Sequence, residues 1–198
     1  MTQMAQFRRL LRLAPPPRSP VDAGSPDGWE EIERILVLSL PGDYKQYVNT
    51  YGSGEFGGFL VPLNAFARVE GMNLVRQVDP FLDIYRDGLK SSLSEQCPFP
   101  TYPDRGGLLP LARDLNGGDM FWLTEGKPDN WTLVHYDWRG GYLYQRQGMG
   151  LVTFFVRWLS GELPESFFGH GNSPNIKRHP VFCPSGQKRE SGKGVGVP

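Results

Sequence analysis

The stretch Leu40–Phe59, LPGDYKQYVNTYGSGEFGGF, constrains the fold more than any other part of this chain. Tyr44, Tyr47, Val48 and Tyr51 stand at i, i+3, i+4 and i+7, so four large side chains share one stripe of a helix. Pro41 suits the first turn, where a missing N–H breaks no hydrogen bond. Asp43 sets a negative charge at the positive end of the helix dipole. Gly52 follows the last stripe residue, where a helix stops most easily in a left-handed conformation. Gly54 and Gly57 then bracket Glu55 and Phe56 in a tight turn, and Phe59-Leu60-Val61 opens a strand. Gly52, Gly54 and Gly57 also match G-x-G-x-x-G, the dinucleotide fingerprint. That fingerprint works only after a strand and before a helix, because the helix N-terminus holds the pyrophosphate. Here the helix comes first, which argues against nucleotide binding and for close packing of two elements.

The 198 residues suit one domain with extensions. Their 25 glycines and 18 prolines predict many turns. Two cysteines, Cys97 and Cys183, argue against a disulfide scaffold and suit a reducing cytoplasm. No run approaches about 18 apolar residues, so no membrane span is expected, and no apolar segment follows the N-terminal charges, so no secretory signal is expected. Net charge is zero, but residues 29–169 hold 12 Lys/Arg against 18 Asp/Glu, and the basic surplus lies in the two flanks. An acidic central region is a poor nucleic-acid binder and fits a basic protein partner, although a surplus of this size also serves solubility alone.

Residues 1–13 can form a short basic helix with Phe7, Leu10 and Leu11 on one side, marginal by itself in water. Residues 14–28 have linker composition. Residues 1–28 are therefore expected to be a flexible extension. Trp29–Leu36 reads as the first packed helix, Phe59–Leu63 as a strand, and Asn73–Ser92 as a long helix that Pro80 kinks or divides. Gln96–Gly107 reads as a loop. Four strand-like runs follow, Leu108–Leu111, Asp119–Thr124, Trp131–Asp137 and Tyr142–Arg146. Asn116-Gly-Gly118, Gly126-Lys-Pro-Asp129 and Arg139-Gly-Gly141 separate them, which predicts an antiparallel meander. Met120-Phe-Trp122-Leu is apolar on both alternations and reads as a central strand buried on both faces. Leu151–Leu159 is apolar nearly all round and reads as a buried helix. Residues 170–198 read as a disordered basic tail.

WEEIERIL, LPGDYKQYV, YGSGEFGGFL, the glycine-bounded meander and LVTFFVRWLSGEL occur in an order and spacing that resemble the SMI1/KNR4 family of the SUKH superfamily, over about residues 29–168. Trp29, Pro41, Asp43, Tyr44, Gly52, Gly54, Phe56, Gly57 and Trp122 are the motif positions. The resemblance implies an α+β fold, helices around a strongly bent, mostly antiparallel sheet. It implies protein binding rather than catalysis: bacterial members are immunity proteins that neutralise a neighbouring toxin, often a nuclease, and fungal members regulate cell-wall assembly. Two positions depart from the pattern. Val37 stands where a glycine usually ends the first helix, and Gly150 where a Ser or Thr cap is usual.

The residues themselves offer little chemistry. His135 and Asp137 share one face of a strand, but no serine or cysteine motif accompanies them. His170, His179, Cys183 and Cys97 could make four zinc ligands in number, but their spacing fits no compact site. No metal or cofactor is expected. If an acidic face docks on a basic partner, the turn acids Glu55, Asp119 and Asp129 are the candidate contacts, each of which could equally cap its own turn. A regulatory scaffold is the rival reading; a hydrolase or nucleotide binder is the remote one.

Overall fold

A computed structural model describes residues 2–91, 94–139, 143–168 and 181–186. Among these residues five α-helices accompany one seven-stranded sheet. The helices are α1 (Gln3–Leu13), α2 (Pro26–Leu36), α3 (Gly42–Tyr51), α4 (Leu74–Leu89) and α5 (Leu151–Leu159). The strands are β1 (Gly54–Phe56), β2 (Leu60–Pro62), β3 (Leu108–Asp114), β4 (Asp119–Leu123), β5 (Thr132–Asp137), β6 (Leu143–Gln147) and β7 (Phe182–Pro184). Their order in the sheet is β6-β5-β4-β3-β2-β1-β7, every neighbouring pair antiparallel. The fold is α+β, as the resemblance implies.

The meander β3–β6 follows the predicted runs to within three residues. All five residues of β4 are buried, as a strand apolar on both alternations must be. Pro110 lies in β3 where the β3–β4 register shifts, and such an irregularity accommodates a residue with no N–H to donate. Residues Leu74–Leu89 form one helix, not two, with Pro80 inside it. Pro80 and Arg76 both lie on the exposed face, where water can satisfy the carbonyl that Pro80 leaves without a helical partner. α2 starts before Trp29, at Pro26, with the Ser25 hydroxyl accepting from the Gly28 N–H at 3.2 Å.

In the structure the N-terminal extension is packed against the domain rather than standing free of it. Phe7, Leu10 and Ala14 are buried in the common core, and α1 packs against α5. The Tyr51 hydroxyl donates to the Ala14 carbonyl at 2.6 Å, and Arg9 pairs with Glu162 at 2.6 Å. An eleven-residue helix that is marginal alone becomes stable when its apolar side finds a hydrophobic partner, and α5, apolar nearly all round, supplies one. The tail reading is also corrected at residues 181–186, since β7 pairs with β1 and its side chains are buried. Residues 169–180 and 187–198 lie outside the described residues.

Val37 replaces the expected glycine without removing the stop. It sits at φ 48°, ψ 37°, and the Leu38 N–H reaches the Glu33 carbonyl at 3.1 Å, as in a glycine-terminated helix. Its side chain is 89% exposed, so no burial offsets the left-handed strain. That strain costs about 1–2 kcal/mol, and the extra unfolded-state freedom of glycine offsets about 0.5–1 kcal/mol of any relief. Val37→Gly is therefore expected to stabilise the protein by roughly 0.5–1 kcal/mol in a urea melt, with an unchanged m-value.

Candidate functional site

The turn after α3 joins both terminal segments to the centre of the molecule. Tyr44, Tyr47, Val48 and Tyr51 are all buried, as their spacing requires. The Tyr44 hydroxyl donates to the Leu63 carbonyl at 3.0 Å and accepts from the Ala65 N–H at 3.1 Å. Its ring meets Trp122 edge-on at 4.9 Å and Trp29 at 5.8 Å, and the Trp29 indole N–H donates to Asn49 at 3.0 Å. Phe56 lies 4.5 Å from Phe155 of α5 and 5.0 Å from Phe182 of β7, measured between ring centres. One aromatic cluster thus spans α3, β1, α5 and β7. Pro41 is the cap residue of α3 rather than part of its first turn.

The glycines of this turn are places of close approach. At Gly52, which has φ 68°, an added Cβ would lie 2.0 Å from the Val21 carbonyl oxygen, and the Ser53 N–H donates to that oxygen at 2.7 Å. At Gly54 an added Cβ would lie 2.4 Å from the Phe182 ring and 2.5 Å from the Cys183 carbonyl oxygen. The Gly57 N–H donates to the Val181 carbonyl at 2.6 Å, and the Ser185 N–H to the Ser53 carbonyl at 2.9 Å. Asp22 fastens the N-terminal side. Its carboxylate accepts from the Ser53 hydroxyl at 3.1 Å and from the Arg68 guanidinium at 2.7 Å. The pattern G-x-G-x-x-G therefore admits two strands of main chain from opposite ends of the sequence.

The motif carboxylate Asp43 serves a second helix. It is 6% exposed, and the Val152 N–H of α5 donates to its Oδ2 at 3.1 Å. α5 has Gly150 at its cap position, and a Cβ there would lie 3.0 Å from the same oxygen. The missing Ser or Thr is thus explained: the cap comes from α3, and glycine makes room for it. Burial pushes the Asp43 carboxyl above its ordinary value of 3.8; the Val152, Tyr44 and Leu151 N–H groups pull it down, and the nearby Asp129 charge pushes it up. A carboxyl raised on folding holds protons more tightly in the native state, so its ionisation destabilises the fold as pH rises from 3.8 through the raised value. Asp43→Asn keeps an oxygen acceptor without this titration. The stability of the parent protein relative to Asp43→Asn is expected to fall across that interval, measured by denaturant melts at a series of pH values.

The three candidate contacts occupy three separate elements. Asp119 is not exposed. It is fully buried and held bidentately by Arg113 at 2.7 and 3.1 Å, with the Trp138 indole N–H donating at 2.8 Å. Burial raises its carboxyl, and the Arg113 side chain opposes that rise. Asp129 is exposed, but its Oδ1 accepts from the Gly42 N–H at 2.7 Å, so it caps α3, which has no side-chain cap of its own. Glu55 is half-buried within β1, opposite Cys183 of β7.

His135 finds its carboxylate in Asp114 rather than in Asp137. The His135 Nε2 lies 2.7 Å from Asp114 Oδ2, with both side chains buried. The other Asp114 oxygen accepts from the Asn116 and Gly118 N–H groups at 2.7 and 3.0 Å, and Phe167 and Phe168 pack on the imidazole. A base needs access to the proton it takes; this pair is enclosed and fastens the β3–β4 turn. Among the described residues no group of three or more His, Cys, Asp or Glu is placed to hold a metal ion, and Cys97 and Cys183 are both buried. His170 and His179 lie outside the described residues. No helix among those described is long and apolar enough to cross a membrane.

Sequence reasoning missed Val21, Asp22 and Phe182. The available signal for the last was Val181-Phe-Cys183, a short β-type run bounded by two prolines. Comparison with known families gives a match to the profile described as SUKH_6, SMI1-KNR4 cell-wall, over residues 26–145, more than half of the chain. No curated protein matches.

Proposed function

The chain belongs to the SUKH_6 (SMI1-KNR4 cell-wall) family, and we propose that it is a non-catalytic protein-binding domain that acts in the cytoplasm as an immunity protein. Family membership carries the reading, because members generally bind proteins and generally lack catalysis. The enclosed His135–Asp114 pair supports it. The mechanism is occlusion: the acidic domain docks on a basic toxin surface, and charge steering raises the association rate. The second reading is a regulatory scaffold, favoured by the cell-wall description of the matched family.

Co-purification with the product of the neighbouring gene, followed by association kinetics at two salt concentrations, tests the proposal. Tight stoichiometric binding without turnover, slowed by salt, is the expected result. Failure to bind that product, with capture of a kinase or cell-envelope regulator instead, overturns immunity in favour of the scaffold. Asp129 is the less suitable charge to reverse in such work. Asp129→Lys removes the α3 cap and places a cation at a helix N-terminus, so it is expected to destabilise the protein by about 1–2 kcal/mol, visible as a lower melting temperature.

A further inference from the structure

The edge of β1 is complementary to an extended peptide, and β7 already fills it. We propose that Gly54–Phe56 forms a strand-binding site, occupied in cis by Val181–Ser185, which also accepts an extended segment of a partner protein with an aromatic anchor. The proposal rests on the protein-binding reading only for the biological source of that segment.

The means of attachment define the ligand. β7 runs antiparallel to β1, with Gly54, Glu55 and Phe56 opposite Pro184, Cys183 and Phe182. Outside this ladder, the Gly57 N–H and the Ser53 carbonyl bond to the main chain of Val181 and Ser185. Main-chain bonds of this kind are available to any extended segment, which is the basis of recognition by strand addition. Side-chain selectivity comes chiefly from Phe182. Its ring lies against Tyr51 at 5.1 Å and Phe56 at 5.0 Å, over the space that Gly54 leaves by having no side chain. Val181 and Cys183 are buried with it. The site thus takes a short strand with a large aromatic residue between smaller apolar ones. β7 is the last strand of the sheet among the described residues, so exchanging it disturbs no other pairing there. Because β7 belongs to the same chain, it competes intramolecularly, at an effective concentration that can reach about the millimolar range. A partner segment must reach that range or bind more tightly, which makes β7 a threshold against weak ligands.

Cys183 reports occupancy, because its thiol is buried in the docked strand. The experiment uses the full chain carrying Cys97→Ser and measures thiol labelling of Cys183 under native conditions. The probe is a free peptide copying residues 179–187 with Cys183→Ser. Labelling is expected to accelerate at least tenfold as the peptide approaches millimolar concentration, with no change in melting temperature. The same peptide with Phe182→Ala should have no effect. Gly54→Ala, whose Cβ would overlap both the Phe182 ring and the Cys183 carbonyl, should give rapid labelling with or without peptide while the melt stays cooperative. Labelling that follows only global unfolding, indifferent to peptide and to Gly54→Ala, overturns the site. A dimer that grows with protein concentration and dissolves on adding peptide would make a second copy the occupant and overturn the assignment to a partner. If the peptide acts but the neighbouring gene product does not bind, the strand site stands and the immunity reading falls. If that product binds while labelling stays flat, the reverse holds.

Discussion

Tyr47→Ala is expected to lower stability by about 3–5 kcal/mol, whereas Tyr47→Phe should leave it unchanged or raise it by up to about 2 kcal/mol. The ring is fully buried between Tyr51 at 5.5 Å, Phe155 at 5.4 Å, Phe56 at 6.0 Å and Tyr44 at 6.4 Å. Alanine would open a cavity where α3, β1 and α5 meet. The hydroxyl contributes nothing comparable, because it is buried and meets no hydrogen-bond partner among the described residues; burial drives its pKa well above the ordinary 10.0, with the Tyr44 and Tyr51 hydroxyls adding to the rise. Removing an unsatisfied buried hydroxyl removes a desolvation cost and leaves the packing intact. Equal losses in the two variants would mean that the hydroxyl holds a partner and that polarity, not packing, centres the cluster.

The second large effect lies in the N-terminal helix α1. Leu10→Ala is expected to cost about 2–5 kcal/mol, comparable with a substitution deep in the meander, because Leu10 is fully buried in the core common to α1 and α5. A chain beginning at residue 15 would also expose Phe7's site and leave the Tyr51 hydroxyl without the Ala14 carbonyl. It should melt well below the full chain or fail to fold. A truncated chain as stable as the full one would restore the flexible-extension reading.

The contrast between these two regions shows what could be read in advance. The α3 stripe, the two-sided β4 and the buried α5 follow from local periodicity alone, since each element's own side chains dictate which faces are buried. α1 could not be judged that way. Its stability depends on a partner helix placed about 140 positions later, and short helices take most of their stability from packing. β7 is three residues long and stands in Gly- and Pro-rich sequence. The Asp43 cap on α5 crosses 109 residues, beyond any local rule. The burial of Asp119 was closer to legible. Arg113 and Asp119 flank the Asn116-Gly-Gly118 turn and face each other in the hairpin register, so the hairpin itself supplies the partner that an exposed acid would lack.

The Gly52–Gly57 turn binds residues from both ends of the sequence into one folded unit. Native-state hydrogen exchange measures whether it does. The Ala14 amide, bonded to the Leu10 carbonyl, and the Ser53 amide, bonded to the Val21 carbonyl, should exchange only through global unfolding. The Gly57 and Ser185 amides, which join β1 to β7, should open at a lower free energy as the terminal strand detaches. Free exchange at Ala14 and Ser53, with protection confined to the meander, would mean that the N-terminal segment is not part of that unit.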